Sequence, residues 1–288
     1  VAVAISVAYV FGYYYIKQNY DRVIEEKTVL LGSNRMVNLS NELVNDFQVV
    51  NTHLENLVSF IKESPEASNE EVNEFIQNKL LSLDLNSMFS LKNNNFITAY
   101  VVAKGDFPVY YTQDDQALDN EDRYYFSDSD HYINMAKNNP NSMVVHGPIL
   151  SPLTHDVVVI NRKAIFISGK YWGYVAAISD FYKFLDCVKL TSDDDYFTYS
   201  IRARTYRQLH DFIWGDGSLF KKRSYDIRKK TIFFGKQRWD LAIQVKERRG
   251  IVSANNILVG TVAILYLITL CISMLLLRII ILRIRQKN

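Results

Sequence analysis

Residues 145–175 read VHGPILSPLTHDVVVINRKAIFISGKYWGYV, and this stretch decides the class of fold that the sequence predicts. Two runs rich in β-branched and aromatic residues flank a Ser-Gly-Lys turn, which is the pattern of a β-hairpin. The first run contains Asn161, Arg162 and Lys163. An amide and two cations inside an apolar strand face either water or a molecule that the protein binds.

The three polar residues are predicted to lie on different faces of this strand. Alternation along a strand puts Asn161 and Lys163 on one face and Arg162 on the other. We expect one face to pack on helices and the other to line a pocket, and the spacing alone does not say which face does which. A solvated face, with the Lys and Arg stems lying over the sheet, fits the pattern equally well. Asp180, at the end of the next strand, either joins such a pocket or caps the helix that follows.

The order of elements predicts an α+β protein. Its core is a long N-terminal helix with a PAS-like membrane-distal unit and a smaller membrane-proximal α/β unit, flanked by two transmembrane helices. The predicted divisions are transmembrane helix 1 at 1–16, a long signalling and dimerisation helix at 17–64, the membrane-distal sensor unit at 65–190, the membrane-proximal unit at 191–252, transmembrane helix 2 at 253–282, and the start of a cytoplasmic region at 283–288.

Two uncharged runs predict the membrane spans. Residues 257–277 would extend roughly 30 Å as a helix, the thickness of one bilayer core. Residues 1–16 are also uncharged, begin with Val, and are interpreted as a span truncated at its start. The basic residues of 278–287 place that end in the cytoplasm, so residues 17–252 are expected outside the inner (plasma) membrane in a two-pass protein.

A narrow apolar stripe marks the predicted long helix. Its steps are three or four residues, and its members are Leu39, Leu43, Phe47, Val50, Leu54, Leu57 and Ile61. Tyr20, Val23 and Leu30 are taken to extend it towards the membrane. Such a heptad seam suits packing against a second copy in a homodimer, and packing against the chain's own domain explains it equally well.

The composition and motifs argue against several other functions. A formal net charge of +2 makes no field that would favour nucleic acid. The sequence has no EF-hand spacing and no glycine-rich phosphate loop, and His146 and His155 are interpreted as a surface pair because a metal site would need more ligands. We therefore expect this chain to be no enzyme and to hold no metal or cofactor. Its two cysteines, Cys187 and Cys271, do not identify a redox compartment.

A second group of candidate ligand-binding residues lies in the acid-rich segment 112–130. There Asp122 and Arg123 precede Tyr124 and Tyr125. An arginine binds a carboxylate or phosphate through two parallel hydrogen bonds, and aromatic rings supply a wall for stacking. The alternative is an arginine stacked on tyrosine at the surface.

The chain resembles the CHASE and double Cache sensor modules over roughly residues 20–250. The resemblance is carried by Gly147-Pro148 before an apolar strand, by Trp172-Gly173-Tyr174-Val175, by Asp180 before a helix, and by Trp239 in the closing strands. Asp122-Arg123-Tyr124-Tyr125 half matches a ligand motif of double Cache domains. The resemblance implies a receptor that feeds a cytoplasmic histidine kinase, cyclic-di-GMP enzyme or chemotaxis domain.

The sequence therefore predicts the extracytoplasmic ligand-sensing region of a homodimeric membrane receptor, whose output domain lies outside these 288 residues. A small ligand is expected between the hairpin sheet and the 112–130 segment, with Arg123, Tyr124, Tyr125, Asn161, Arg162 and Asp180 as candidate contacts. The alternative is an interaction module whose tyrosine-rich loop is the contact surface for a periplasmic partner protein.

Overall fold

The computed structural model describes residues 2–80, 96–111, 130–151, 155–190, 194–204, 211–235, 237–246 and 249–287. The first element is α1, a single helix of 62 residues from Ala2 to Glu63. It covers both the predicted first span and the predicted long helix without a break. At 1.5 Å per residue α1 is about 93 Å long. It ends before Pro65, which lacks the N–H that a continuing helix needs.

A short helix, α2 (Asn69–Phe75), follows the turn after α1. Its N-terminus is held by a capping box, in which the Ser68 hydroxyl accepts from the backbone N–H of Glu71 and the Glu71 carboxylate accepts from the backbone N–H of Ser68. One π-helical turn, Ile76–Leu80, extends it, and Val72, Ile76 and Leu80 are buried. These three side chains join the core that α1 shares with the sheets.

The first sheet has five antiparallel strands: β1 (Ile97–Lys104), β2 (Phe107–Tyr111), β3 (Val144–Leu150), β4 (Val157–Ile167) and β5 (Lys170–Asp180). Their order is β2-β1-β5-β4-β3, so β4 and β5 form the predicted hairpin in the middle. Helix α3 (Asp130–Lys137) precedes β3, and α4 (Phe181–Cys187) follows β5. Gly173 is required where β5 meets β1, because a Cβ there would lie 1.9 Å from the carbonyl oxygen of Ala103.

Helix α1 covers one face of this sheet and α3 covers part of the other. Val159 and Ile165 of β4 share a buried cluster with the apolar stripe of α1. Val158 and Ile160 share another with Ile133 of α3. The sequence left open which face of β4 lies against the long helix, and the structure assigns the Asn161 and Lys163 face to α1 and the Arg162 face to the opposite side.

The second sheet is smaller and has the order β7-β6-β9-β8. Its strands are β6 (Phe197–Ala203), β7 (Phe212–Gly215), β8 (Ile227–Phe234) and β9 (Gln237–Val245), and a 3₁₀ turn covers Gly217–Phe220. The sequence of residues 206–220 predicts a short helix and a loop, and this prediction is wrong for Phe212–Gly215. This strand of four residues is too short to show alternation, and its pairing with Ser200–Ala203 of β6 decides its conformation.

An aromatic cluster joins the two sheets through α1. Phe47 stacks on Phe234 of β8, with ring centroids 3.8 Å apart, and meets Phe184 of α4 edge-on. Trp239 of β9 is fully buried and contacts Phe47 and Phe181. The two sheets therefore share one continuous apolar core along α1.

The last helix, α5 (Arg249–Lys287), begins shortly after β9. Within the part of the chain that the structure describes, it supplies the one helix that is long and apolar enough to cross a membrane, Val259–Gln286, with a mean hydropathy of 2.6. The predicted first span at 1–16 is not confirmed. The start of α1 nonetheless lies beside α5, with the hydroxyls of Ser6 and Tyr266 2.8 Å apart and those of Tyr9 and Thr269 2.6 Å apart.

The apolar stripe of α1 packs on the chain's own sheets, from Leu39 to Ile61. Of the two explanations for this stripe, contact with the chain's own domain is therefore the one that the structure supports. Joining Leu30 to the same stripe was wrong. Leu30 precedes Leu39 by nine residues, about two and a half turns, so it points to the opposite side and is 59% exposed. Val23 is also exposed.

Candidate ligand-binding site

Arg162 is the central residue of the candidate site. Its position in β4 directs it to the sheet face away from α1, where it is only 1% exposed. Its Nη1 lies 3.4 Å from Nδ1 of His146 on the neighbouring strand β3. Because a guanidinium can only donate, the imidazole nitrogen is the acceptor in this contact. Tyr132 of α3 and Tyr174 of β5 lie close enough to influence its charge.

The charge of Arg162 is not balanced by a carboxylate in the described part of the chain, where no hydrogen bond or ion pair joins it to Asp or Glu. Its Nε is buried without a hydrogen-bond partner, and the hydroxyl of Tyr174 is buried beside the guanidinium, at the limit of hydrogen-bond geometry. Burial lowers the pKa of Arg162, while Tyr174 and Tyr132 act in the opposite direction. Guanidinium is so basic that it stays protonated in proteins. The site therefore holds a buried cation with unused donor capacity.

His146 contributes a neutral ring to this site. It stacks on Tyr132, with centroids 3.8 Å apart and planes 16° from parallel. Burial, and then the charges of Arg162 and His131, lower the pKa of His146 to about 3. The prediction of a surface pair with His155 was wrong, because His146 is buried between β4 and α3. Within the described ranges, no three His, Cys, Asp or Glu residues are grouped as a metal would require.

An ion pair closes one end of the site. Lys137, at the end of α3, donates to Asp106 in the β1–β2 turn over 2.8 Å, and the Tyr171 hydroxyl donates to the same carboxylate over 3.1 Å. The Lys137 ammonium also lies 4.5 Å from the centroid of the Tyr171 ring. Burial and the nearby Asp106 raise the pKa of Tyr171. These contacts hold α3 against the sheet. They also pair the Asp106 carboxylate with Lys137, and not with Arg162.

The other predicted contacts fall in different places. Asn161 faces α1, and both of its amide atoms are buried without a hydrogen-bond partner, so it does not join Arg162. Asp180 caps α4, since its Oδ1 accepts from the backbone N–H groups of Tyr182 and Lys183 at 2.8 and 3.0 Å. Arg123, Tyr124 and Tyr125 lie outside the described residues.

Sequence reasoning missed three members of the site: Tyr132, His146 and Tyr174. Alternation along β5 would have placed Tyr174 on the same face as Arg162, since Tyr174 pairs with Ala164 and Arg162 pairs with Ala176. His146 and Tyr132 carried no comparable signal, because their approach depends on how α3 crosses the sheet. The rest of this face is small or aliphatic, with Ala99, Val101 and Ala176 buried on neighbouring strands.

The opposite face of β4 contacts α1 through polar side chains. Lys163 donates to the Glu55 carboxylate over 2.8 Å, and this hydrogen bond, outweighing burial, lowers the pKa of Glu55. On β1, the Tyr100 hydroxyl lies 2.6 Å from Nδ1 of His53 on α1. One strand thus holds Arg162 on the candidate site and, at the next position, a charged contact to the long helix.

Comparisons with known proteins identify the fold. No protein-family model matches the sequence, and no curated protein sequence matches it significantly. Solved structures do match. The ligand-binding domain of the Pseudomonas fluorescens chemoreceptor CtaA, in complex with L-serine, has a TM-score of 0.53 at 12% identity, over 78% of this chain and 98% of that one.

Two further structures are similar. The ligand-binding domain of the Pseudomonas aeruginosa amino acid chemoreceptor PctB, in complex with L-Arg, has a TM-score of 0.51 at 12% identity, over 78% of this chain and 95% of that one. An extracellular ligand-binding receptor from Desulfohalobium retbaense has a TM-score of 0.51 at 10% identity, and the match spans 74% of this chain but 40% of that one. The fold is therefore the one found in these ligand-binding domains. The resemblance to CHASE modules stays a prediction.

Proposed function

We propose that this chain is the extracytoplasmic ligand-sensing region of a membrane receptor, and that its ligand is a small molecule whose carboxylate binds Arg162. The observation that carries the proposal is the buried guanidinium without a carboxylate partner among the described residues. An unpaired buried charge is costly, and an anionic ligand would remove that cost on binding.

The surroundings of Arg162 suit such a ligand. A carboxylate can take two parallel hydrogen bonds from a guanidinium, and the Tyr174 hydroxyl beside Arg162 can donate a further one. His146 is neutral, so it adds no second positive charge beside Arg162. The amino acids bound by CtaA and PctB carry an α-carboxylate, which supports the same chemical class for this chain.

The proposed signal passes from the ligand site to α1 through strand β4. A ligand on Arg162 acts on a strand whose next residue, Lys163, is bonded to Glu55 of α1. We propose a two-pass arrangement in which the start of α1 and the apolar part of α5 cross the membrane side by side, with residues 17–252 outside. The ligand must favour one of two arrangements of these helices for a signal to reach an output domain, such as a histidine kinase or cyclic-di-GMP enzyme. The sensing region itself would perform no catalysis.

The test is thermal unfolding of the full chain in lipid nanodiscs, with and without amino acids and dicarboxylic acids. We expect at least one carboxylate compound to raise the Tm of the wild-type protein by mass action. Arg162→Met, which keeps most of the volume, should abolish that shift. It should also leave the ligand-free domain equally stable or more stable, because it removes an unpaired buried charge.

A matched control and an opposite outcome make this test decisive. Arg202 of β6 donates to Asp240 over 2.7 Å, so Arg202→Met should lower the Tm but keep the ligand-induced shift. If Arg162→Met instead destabilises the ligand-free domain by about 3–5 kcal/mol, Arg162 is paired with a carboxylate of the chain itself and the ligand role is wrong. A ligand-induced shift that survives Arg162→Met would also contradict the proposal.

A further inference from the structure

A cationic segment lies at the end of the second sheet from which α5 departs. Residues 221–230 read KKRSYDIRKK and contain six cations and one acid. Strand β8 begins within this segment, and its first residue, Ile227, pairs with Gln244 near the end of β9. The backbone N–H of Val245 also donates to the carbonyl of Asp226 over 3.0 Å. The segment is therefore held beside the last residues of β9, close to the start of α5.

The cations of this segment are exposed, whereas its acid is engaged within the fold. The exposed cations are Lys221, Lys222, Arg223, Lys229 and Lys230. Asp226 is half-buried and accepts from the side-chain amide of Gln244 over 2.7 Å. Tyr225, between these cations in sequence, is 48% exposed. The segment therefore presents positive charge and one aromatic ring to its surroundings.

The height of this segment above the bilayer decides whether lipid charge can act on it. Ten residues of helix separate the first residue of α5, Arg249, from the candidate span that begins at Val259, a rise of about 15 Å. The polar layer on one side of a bilayer takes up about 5–8 Å of that rise. The remaining gap of roughly 7–10 Å is close to one Debye length at physiological ionic strength. A negatively charged membrane surface therefore still attracts cations at this height.

We infer that the segment 221–230 binds the anionic phospholipid headgroups of the membrane that α5 crosses. Cations beside a membrane span are attracted by the negative surface potential of anionic lipid. An exposed tyrosine suits the same interface, because its ring is apolar and its hydroxyl is polar. The inference rests on the membrane arrangement proposed above, and it is independent of Arg162 and of any ligand.

Lipid contact at this segment acts on both helices that lead to the membrane. Arg228 donates from its Nε to the hydroxyl of Ser33 on α1 over 3.2 Å. The same segment is bonded to Val245, four residues before α5. Binding of the segment to headgroups therefore holds α1 and the end of β9 nearer to the bilayer, so the content of anionic lipid biases the arrangement of α1 and α5.

Quenching of a fluorophore by spin-labelled lipid headgroups tests this inference on the full 288-residue chain in lipid nanodiscs. Cys187 and Cys271 are replaced by Ser, and Ser224→Cys carries the fluorophore at an exposed position. Replacing part of the zwitterionic lipid by phosphatidylglycerol should increase the quenching. Three cations that act from one Debye length should raise the ratio of bound to unbound segment about fivefold. Equal quenching in both lipids would overturn the inference.

Matched charge variants separate this surface from the net charge of the protein. The test variant combines three substitutions: Lys221→Gln, Lys222→Gln and Arg223→Gln. The control removes three exposed charges elsewhere: Lys62→Gln, Lys170→Gln and Lys183→Gln. The test variant should lose the response to phosphatidylglycerol at an unchanged Tm, and the control should keep the response. An equal loss in both variants would contradict a local lipid-binding surface.

Soluble anions distinguish a lipid surface from a site for free phosphate. In nanodiscs that contain phosphatidylglycerol, inorganic phosphate should reduce the quenching no more than NaCl does at the same ionic strength, because both salts act by screening. A stronger effect of phosphate would identify a site for a soluble anion and contradict lipid binding. The readout needs no ligand, so its failure is distinct from a missing ligand-induced shift in Tm.

Discussion

At the residue scale, burial explains the properties of the candidate site better than the identity of any one residue. Asn161, Arg162 and Lys163 are all less than 8% exposed, yet each has a different environment. Lys163 has a carboxylate partner, Asn161 has an unsatisfied amide against α1, and Arg162 has neutral aromatic and imidazole neighbours. A buried charge without an opposite charge is costly, so Arg162 is the residue most in need of a functional explanation.

His146 makes a prediction about the pH dependence of stability. Its pKa is about 3 in the folded protein and about 6.5 when unfolded. Between these values the unfolded chain binds more protons, so this residue makes the folded state less stable as the pH falls below 6.5. The slope approaches about 1.4 kcal/mol per pH unit.

Chemical denaturation of the ligand-free protein at several pH values between 5 and 7 measures this slope, in a range where ordinary carboxylates stay ionised. His146→Gln should remove most of the loss of stability on acidification. His155→Gln, at an exposed histidine, should behave as the wild type. Parallel pH profiles for wild type and His146→Gln would show that the histidine is not buried as a neutral ring.

At the element scale, α1 has two independent apolar faces, and the structure separates them. One face packs on both sheets from Leu39 to Ile61, and the other runs outward from Leu30 through Val37 to Val44. The contact of α1 with β4 is not purely apolar, because the Lys163–Glu55 pair lies at its edge. Lys163 is 7% exposed as a residue, whereas the Glu55 side chain is 53% exposed.

This asymmetry predicts unequal effects of mutating the two partners. Glu55→Ala leaves the Lys163 ammonium buried without an acceptor and should cost about 1–3 kcal/mol of unfolding free energy. Lys163→Met removes the buried charge together with its need for a partner and should cost less than about 1 kcal/mol. Urea denaturation of both variants measures these values.

The double variant is the control for this pair. Adding Lys163→Met to Glu55→Ala should restore much of the lost stability, since no unpaired ammonium remains. If the two substitutions simply add, or if Glu55→Ala has no effect, the pair is an ordinary surface ion pair with little energetic coupling.

At the scale of the whole molecule, the aromatic cluster around Trp239 makes the two sheets one mechanical unit. Phe47 contributes to it from α1, Phe184 from α4, and Phe234 and Trp239 from the second sheet. Any displacement of α1 against the first sheet therefore acts on β9, which is followed closely by α5. This continuity supports the proposal that a signal passes from the candidate site to α5.

The cluster predicts that one substitution will weaken both sheets. Phe47→Ala should cost about 3–5 kcal/mol, because it leaves a cavity among rigid rings. Hydrogen exchange should show faster opening of amides in both β4 and β9, although Phe47 belongs to neither strand. Phe233→Ala, at a ring that is 65% exposed beside Phe234, should change little. Faster exchange confined to one sheet would mean that the two sheets open independently.

The sequence alone determined the local elements and their order. The central hairpin, the strands around it and the long helix follow from patterns of two and 3.6 residues, which report one element's own faces. The C-terminal helix follows from the length of an uncharged apolar run. The strand β7 was missed because four residues are too few to show such a pattern. Alternation also separated Arg162 from Asn161 and Lys163, since this depends on β4 alone.

Only the tertiary structure decided which face each element presents to the others. Helix α1 lies against Asn161 and Lys163, α3 brings Tyr132 and His146 to Arg162, and Leu30 belongs to a face opposite Leu39. Contacts between distant segments set these choices, because an apolar stripe has the same periodicity whichever partner it meets. Periodicity predicts that a face of an element is buried, whereas tertiary packing decides which other element covers that face.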